Sequence, residues 1–193
     1  MRKLLFSIVI MACAASFSFA QNNDYNKFDV YAGYSHSRLD DGSGEYEGFN
    51  GVEGSVTGNI SRYIGIKGDY AFHFKKFEFG TIDVDAQMHT LVGGVQIKDN
   101  STEKKLKPFA HFMAGFAHGR ADVNQQVCIQ QLGVPCPSFN DSQTGFAGVI
   151  GGGLDIRLND RVDIRAVQFD YNPTHLAGTT QHNFRIGVGV VFR

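Results

Sequence analysis

The chain has 193 residues, which suits a single domain able to bury a sizeable core. Its formal net charge is −1, so no uniformly basic field indicates a nucleic-acid partner. It combines 23 glycines with 17 Phe and 7 Tyr residues in a sequence without repeats, a composition that favours closely packed strands.

The first twenty residues have the pattern of an export signal. Arg2 and Lys3 precede an apolar run from Leu4 to Ala15. Ser18 and Ala20 are small residues at the two positions that a signal peptidase recognises before its cleavage site. We therefore expect residues 1–20 to be a cleaved signal peptide and residues 21–193 to be the mature domain. Two alternatives remain open. The run could be a membrane anchor, although it is short for one, or Cys13 could be lipidated, since IMAC is similar to a lipobox.

Two cysteines remain in the mature chain, Cys128 and Cys136, in the stretch CIQQLGVPC. An exported protein meets an oxidising compartment, so we expect a local disulfide between them. Closing so short a loop would stabilise the fold by about 2–3 kcal/mol in the chain-entropy description. The spacing lacks the CxxC pattern of redox sites, and no neighbouring histidine favours a metal.

In the mature chain, apolar residues recur mainly at every second position, so that the residues of one parity form one face of a strand and those of the other parity form the opposite face. In IGIKGDYAFHF, residues 64–74, apolar and polar or small residues alternate as in a strand with two different faces. Similar patterns predict eight strands, at residues 28–39, 49–60, 64–74, 84–98, 108–118, 145–158, 161–171 and 182–192.

The connections alternate in length, which predicts an up-and-down antiparallel meander. Short links fall at 59–62, 99–106 and 159–160. Longer polar links are expected at 40–48, 75–83, 119–144 and 172–181. With both termini on the short-turn side, the number of strands must be even.

Three features favour a membrane barrel over a sandwich or a soluble lipocalin-like barrel. The polar parity carries isolated charges of both signs among small residues, which suits a narrow paired interior. Aromatic residues gather near strand ends, as in interfacial girdles. Each strand is long enough for a tilted crossing, and in a bilayer only closure pairs every backbone group. We predict an all-β fold, a closed antiparallel up-and-down transmembrane β-barrel of eight strands. The absence of Trp also counts against a lipocalin-like carrier.

Two strands have an uncertain register. Residues 161–171 change apolar parity near Arg165 and Ala166, which predicts a β-bulge there. Residues 84–98 change parity near Leu91 and Val92, and we expect a similar shift.

Four segments resemble a known family. They are MHTLVGGVQI, KPFAHFMAGFAHG, GFAGVIGGGLDIRLNDRVDIRAVQFDY and the closing QHNFRIGVGVVFR. They look like the outer membrane protein β-barrel domain family of small porin-like bacterial proteins. The likeness covers most of residues 28–193. It implies that the domain of residues 21–193 is an eight-stranded barrel in the cell outer membrane, with lipid, lipopolysaccharide and the barrel insertion machinery as partners.

The resemblance also implies that the last strand carries the insertion signal. Its apolar parity consists of Phe184, Ile186, Val188, Val190 and Phe192. Such signals usually end on an aromatic residue, whereas Arg193 follows Phe192 here. The same strand should close the barrel by pairing with the strand that begins near Phe28, since an open edge would be exposed in the membrane.

Charged residues on the polar parity are the main candidate site. The predicted interior network consists of Glu53, Lys67, Asp69, Asp85, Asp155, Arg157, Arg165 and Arg185, with His89 on the same face. Because a barrel of eight strands has room for little besides side chains, we expect the network to fill the interior. The alternative is a narrow conducting pore.

Other candidates are weaker. His73, His89 and His111 could converge on a metal, but hydrogen-bonded interior histidines are the better expectation, so we predict no metal and no cofactor. Ser35-His36-Ser37 with His182 could form a lipid-modifying active site, although no third group is apparent. The 119–144 loop could bind a surface ligand. The sequence favours a structural or surface-interaction role without catalysis; a porin, a lipid-modifying enzyme and a lipocalin-like carrier are the alternatives.

Overall fold

The computed structural model describes residues 25–40, 45–79, 82–125, 139–176 and 178–193, which form eight strands. The strands are β1 (Phe28–Asp40), β2 (Tyr46–Asn59), β3 (Ile64–Phe79), β4 (Ile82–Lys98), β5 (Leu106–Gln125), β6 (Phe139–Arg157), β7 (Val162–Leu176) and β8 (Thr179–Phe192). Sequential strands pair antiparallel in one sheet that closes on itself. The predicted eight-stranded closed barrel is confirmed. Among the described residues, no helix is long and apolar enough to cross a membrane.

The seam between β1 and β8 closes the barrel. Its register runs from Val30 opposite Phe192 to Arg38 opposite Phe184. The prediction that the last strand pairs with the first is therefore confirmed. Closure gives every strand two neighbours, so the sheet has no free edge.

The two ends of the barrel differ. The turn end carries the short connections 60–63, 99–105 and 158–161 together with Phe192 and Phe28. The opposite, loop end was predicted to carry four long links, but much of that sequence is strand. β3 continues to Phe79 before β4 begins at Ile82, and β7 continues to Leu176 before β8 begins at Thr179.

The expected loops at 75–83 and 172–181 were therefore wrong. Their polar residues lie on strand extensions that continue beyond the apolar band, and polar composition alone does not end backbone pairing. On the inner face of β7, Asn172, Thr174 and Leu176 are still buried. Between β7 and β8, Gly178 adopts a φ of 76°, a backbone conformation in the left-handed region that favours glycine.

The outer face of the barrel is apolar where its inner face is charged. Large side chains on the outside are widely exposed, such as Leu91 at 61%, Phe112 at 63% and Phe116 at 66%. The largest fully buried side chains include Arg165, Arg185 and Lys67. A soluble barrel would place these groups the other way round, so this distribution is that of a barrel surrounded by lipid.

Strand registers decide which residues face inward. On β7, Arg165 pairs with Asp155 and Val167 pairs with Leu154, so Ala166 is an extra residue and the predicted bulge is present. On β4, the pairing with both neighbours is continuous, and the predicted parity shift was wrong. The pattern misled because Val92 is apolar and yet faces inward.

Val92 belongs to an apolar cluster inside the loop-end half of the barrel. Its buried members are Leu39, Phe49, Met88, Val92, Met113, Ala117, Ala147, Val149 and Leu176. The interior therefore has two regions, with an apolar cluster towards the loop end and charged residues in the middle and at the turn end.

Candidate functional site: the charged interior

The structure brings six of the predicted network residues into the interior. These are Glu53, Lys67, Asp69, Asp155, Arg165 and Arg185, all nearly or fully buried. The prediction was wrong for the other two, Asp85 and Arg157, and for His89, which was expected on the same face. Asp85 lies on the outer parity of β4 and pairs with Lys76. His89 shares that outer parity, and Arg157 pairs with Asp160 at the turn end.

Arg185 on β8 is the centre of the network. Its Nη2 lies 2.6 Å from Oδ2 of Asp170, and its Nη1 lies 3.3 Å from Oδ1 of Asp69. Glu53 Oε1 lies 3.5 Å from the same Nη2. Three carboxylates from β2, β3 and β7 therefore surround one guanidinium, which spreads its charge over several donors in a fixed plane.

A second cation enters this centre from β3. Lys67 Nζ lies 3.4 Å from Oδ2 of Asp69 and 3.5 Å from Nδ1 of His111. His111 Nε2 in turn lies 2.8 Å from Oδ1 of Asp170. If His111 donates its Nε2 proton to Asp170, its Nδ1 accepts from the Lys67 ammonium, so one imidazole connects a cation to an anion.

Arg165 forms the next layer towards the turn end. Its Nε and Nη2 donate to the two oxygens of Asp155 at 2.8 and 3.2 Å, a bidentate pair. Its guanidinium carbon lies 4.2 Å from the ring centre of Tyr31 and 4.1 Å from that of Phe109, so two aromatic rings flank it. The cation is held in place by both charge and packing.

Gln168 joins the two layers. Its Oε1 accepts from Nη1 of Arg165 at 2.7 Å, and its Nε2 donates to Glu53 Oε1 at 2.8 Å and to Asp170 Oδ2 at 2.7 Å. One neutral amide thus uses its acceptor towards a cation and its donors towards two anions.

The turn end is closed by two further groups of ions. Lys98 Nζ lies 2.5 Å from Asp29 and 3.4 Å from Asp155. Arg193 Nη2 lies 2.5 Å from Oδ1 of Asp163, and the Arg193 side chain is only 2% exposed. The residue after the terminal phenylalanine, which the sequence left unexplained, is therefore an internal ion-pair partner.

Charges balance in the middle and at the turn end of the interior. There, among the described residues, six buried bases face six buried acids: Lys67, Lys98, Lys107, Arg165, Arg185 and Arg193, against Asp29, Glu53, Asp69, Asp155, Asp163 and Asp170. Asp40 is a further buried acid, at the loop end of β1. An isolated buried charge is costly, and pairing with additional hydrogen bonds offsets part of the desolvation penalty. The arrangement fills the middle and the turn end of the barrel with ion pairs.

Sequence reasoning missed seven participants, namely Asp29, Lys98, Lys107, Asp163, Gln168, Asp170 and Arg193. A continuous inner parity on β4 would have assigned Lys98. Placing one extra residue at Ala166 would have assigned Gln168 and Asp170, because the parity after the bulge is inverted.

The three predicted histidines do not meet. His73 and His111 are buried in the interior, where His73 Nε2 lies 2.9 Å from Oγ of Ser35. His89 lies on the outer face. Within the part of the chain that the structure describes, no group of three or more His, Cys, Asp or Glu side chains is arranged to hold a metal ion.

The residues of the enzyme hypothesis are also separated. Ser35 faces inward, whereas the ring of His36 contacts Asn50 on the neighbouring strand with Nδ1 at 3.0 Å. His182 contacts the Tyr171 hydroxyl at 2.5 Å. Ser35 and His36 lie on opposite faces of β1, so the alternative of a Ser-His active site at this stretch lacks the required geometry.

A comparison of the sequence with protein families gives a result that is consistent with the closed barrel, its apolar exterior and its charged interior. Residues 5–192 match the outer membrane protein beta-barrel domain. The chain belongs to this family. It is an outer-membrane protein, and in such barrels the short turns lie on the periplasmic side and the longer loops outside the cell. No curated protein sequence matches the chain.

Solved structures of small outer-membrane barrels share the fold of this family member. One is Ail, the attachment invasion locus protein of Yersinia pestis, in complex with the heparin analogue sucrose octasulfate. It has a TM-score of 0.59 at 20% identity and covers 86% of this chain and 97% of its own. Another is Neisserial surface protein A, with a TM-score of 0.58 at 14% identity, covering 88% of this chain and 99% of its own. At these identities the likeness concerns the fold.

Two predictions concern residues outside those that the structure describes. They are the signal peptide at residues 1–20 with Cys13, and the disulfide between Cys128 and Cys136. The apolar parity of the proposed insertion signal does lie on the outer face of β8, where Ile186, Val188 and Phe192 are exposed.

Proposed function

We propose that this outer-membrane barrel has a structural or surface-interaction role, without catalysis, and that its interior does not conduct. The observation that supports this is the balanced interior network centred on Arg185. Three carboxylates contact one fully buried guanidinium, and Gln168 ties this layer to the Arg165–Asp155 pair. A hydrated pore would instead leave charged side chains in contact with water.

The alternative is a narrow porin, and Arg185→Leu separates the two. If the network closes the interior, the wild type shows no stepwise conductance in planar bilayers, and the variant unfolds at a lower temperature. Arg157→Leu is the matched control, because Arg157 pairs with the exposed Asp160 outside the network. Reproducible single-channel steps in the wild type would overturn the closed interior.

We also infer that the surface role resides at the loop end near β5 and β6. These two strands pair out to Val123 opposite Phe139, and the segment that connects them, residues 126–138, contains no charged residue. Around it the loop-end sequence is acidic. Asp41, Glu45, Glu47, Glu78, Asp83, Asp85, Asp122 and Asp141 outnumber Arg38, Lys75, Lys76 and Arg120.

This charge distribution disfavours a sulfated polyanion, the class of ligand bound in the Ail structure, and favours a neutral or cationic surface. Replacing residues 127–138 with a short turn should abolish adhesion of bacteria expressing the protein to host cells. Added heparin should leave adhesion by the wild type unchanged. Inhibition by heparin would contradict the inferred partner class.

We propose that the exported chain loses residues 1–20 and oxidises Cys128 to Cys136. The pairing of β5 with β6 holds the two ends of residues 126–138 at neighbouring strands, which supports a local bridge. Intact mass of protein purified from outer membranes, before and after reduction and alkylation, tests both. A mass that retains residue 1, or free thiols before reduction, would contradict them.

A further inference from the structure

Two histidines on the outer face of the barrel face each other across neighbouring strands. His89 on β4 and His118 on β5 are directly opposite in the register, and their ring centres lie 6.4 Å apart with the planes at 40°. Neither belongs to the interior network. Opposite residues on one face of an antiparallel pair are the closest cross-strand neighbours that a sheet offers.

Each ring is oriented by a hydroxyl group. The Tyr70 hydroxyl lies 2.8 Å from Nδ1 of His89, and the Thr144 hydroxyl lies 2.7 Å from Nδ1 of His118. If each Nδ1 carries the proton and donates to its hydroxyl oxygen, each Nε2 keeps a free lone pair. Within the described residues neither Nε2 makes a hydrogen bond. This is the arrangement in which metal-binding imidazoles are held by partners in proteins.

Packing further restricts His89. Its ring stacks on Phe72 with centres 4.7 Å apart and planes at 29°. His89 can therefore adopt few other orientations, which lowers the entropy lost when a ligand binds. By contrast, His182 also contacts a tyrosine hydroxyl on the outer face but is opposite Pro173, so it has no second imidazole across the strand.

The pair lies at the boundary between lipid and water. Towards the turn end its outward neighbours are Leu91 and Phe116, which are 61% and 66% exposed. Towards the loop end they are Gln87 and Arg120. Ions in the external medium can therefore reach the two rings, and water can complete a coordination shell.

We propose that His89 and His118 form a two-histidine site for a transition-metal ion of the zinc, nickel and copper group, with Tyr70 and Thr144 as positioning residues. Imidazole nitrogen suits these ions. With metal–nitrogen distances near 2.0–2.1 Å, a shared ion would draw the two ring centres together by about 1 Å, which small side-chain rotations supply.

The test uses the untagged full barrel, extracted from outer membranes in detergent and titrated with CuCl2 and ZnCl2. We expect one ion per barrel by calorimetry, and nitrogen coordination in the electron paramagnetic resonance spectrum of the copper form. His89→Asn and His118→Asn should each weaken binding at least tenfold. Heat-modifiable migration in gels verifies that these exposed variants are folded.

Two further sets of variants separate a built site from incidental binding. Tyr70→Phe and Thr144→Val leave both imidazoles in place and should weaken binding about tenfold through loss of ring orientation. His182→Asn is the matched control and should bind like the wild type. Binding that is unchanged in His89→Asn and His118→Asn, or lost equally in His182→Asn, would overturn the proposal.

Discussion

Oδ2 of Asp170 lies 2.6 Å from Nη2 of Arg185, while the other oxygen of the same carboxylate lies 2.8 Å from Nε2 of His111. Asp170 stands on β7, Arg185 on β8 and His111 on β5. One carboxylate therefore connects two adjacent strands with a third across the interior, and the network braces the wall of the barrel from inside.

Asp170→Asn should destabilise the barrel strongly. The change leaves Arg185 and Lys67 with one negative charge fewer in a fully buried setting, and breaking such a pair costs about 3–5 kcal/mol. Urea unfolding followed by circular dichroism measures the loss. The control is Asp160→Asn, because Asp160 is 91% exposed and its pair with Arg157 should contribute less than about 1 kcal/mol. Equal effects of the two changes would contradict a structural role for the network.

Arg193→Gln should lower stability while sparing insertion. The substitution removes the cation that faces the buried Asp163 carboxylate, so we expect a loss of about 1–3 kcal/mol. The exposed apolar parity of β8 is unchanged, so the assembled fraction in outer membranes should match that of the wild type. Phe192→Ala is the opposite case and should reduce assembly. Reduced assembly of Arg193→Gln at wild-type stability would show that Arg193 belongs to the insertion signal.

Asp99, in the turn between β4 and β5, should make stability depend on acid pH. Burial opposes its ionisation, but hydrogen bonds from Lys104, Ser101 and Arg62 outweigh burial and hold the pKa of Asp99 well below its usual range. A lowered folded-state pKa adds stability at pH above about 4, the value in the unfolded chain, and this stability is lost as the pH falls towards the folded-state value.

Asp99→Asn should therefore cost about 1 kcal/mol or less at pH 7, because Arg62 and Lys104 are surface side chains. The difference from the wild type should shrink on acidification below pH of about 4. Unfolding curves of both proteins across this range measure it. A difference that is the same at both ends of the range would show that the ionised carboxylate contributes nothing.

Deleting Ala166 should prevent folding. Because of the extra residue, the inner face of β7 has odd-numbered residues before the bulge and even-numbered residues after it. Removing Ala166 would therefore turn one of these two parts towards lipid, either Arg165, the partner of Asp155, or the segment 168–172. Heat-modifiable migration of the assembled protein tests this. Ala166→Gly keeps the residue count and should assemble nearly normally. Assembly of the deletion variant would show that the bulge is dispensable.

The fold could be predicted because strand period and barrel closure are local and geometric constraints. Alternation in residues 64–74 and the need to pair β8 in a membrane specify an even, closed meander. The loop-end boundaries could not be predicted in the same way. Lys75 and Lys76 form ion pairs and Phe77 packs against the buried apolar cluster, all within β3. Charged residues in the sequence do not distinguish such a strand extension from a loop.

The candidate site was predicted in part for a related reason. Glu53, Lys67 and Arg185 follow a simple parity and were placed correctly inside. Asp170 and Gln168 were missed because they follow a bulge that inverts the parity of the inner face. His89 was assigned to the wrong face because Val92, an inner residue of the same strand, is as apolar as the outer residues. Parity identifies the inner face only where the two faces differ in polarity.

Strand length gives the barrel a high side and a low side. β4, β5 and β6 have 17, 20 and 19 residues, whereas β1 and β8 have 13 and 14. Five additional residues on strands tilted by about 45° add on the order of 10 Å of height. On the β4–β6 side, the strands therefore extend further above the membrane surface than they do at the seam between β8 and β1. Contact with the cell exterior should have a preferred direction around the barrel axis.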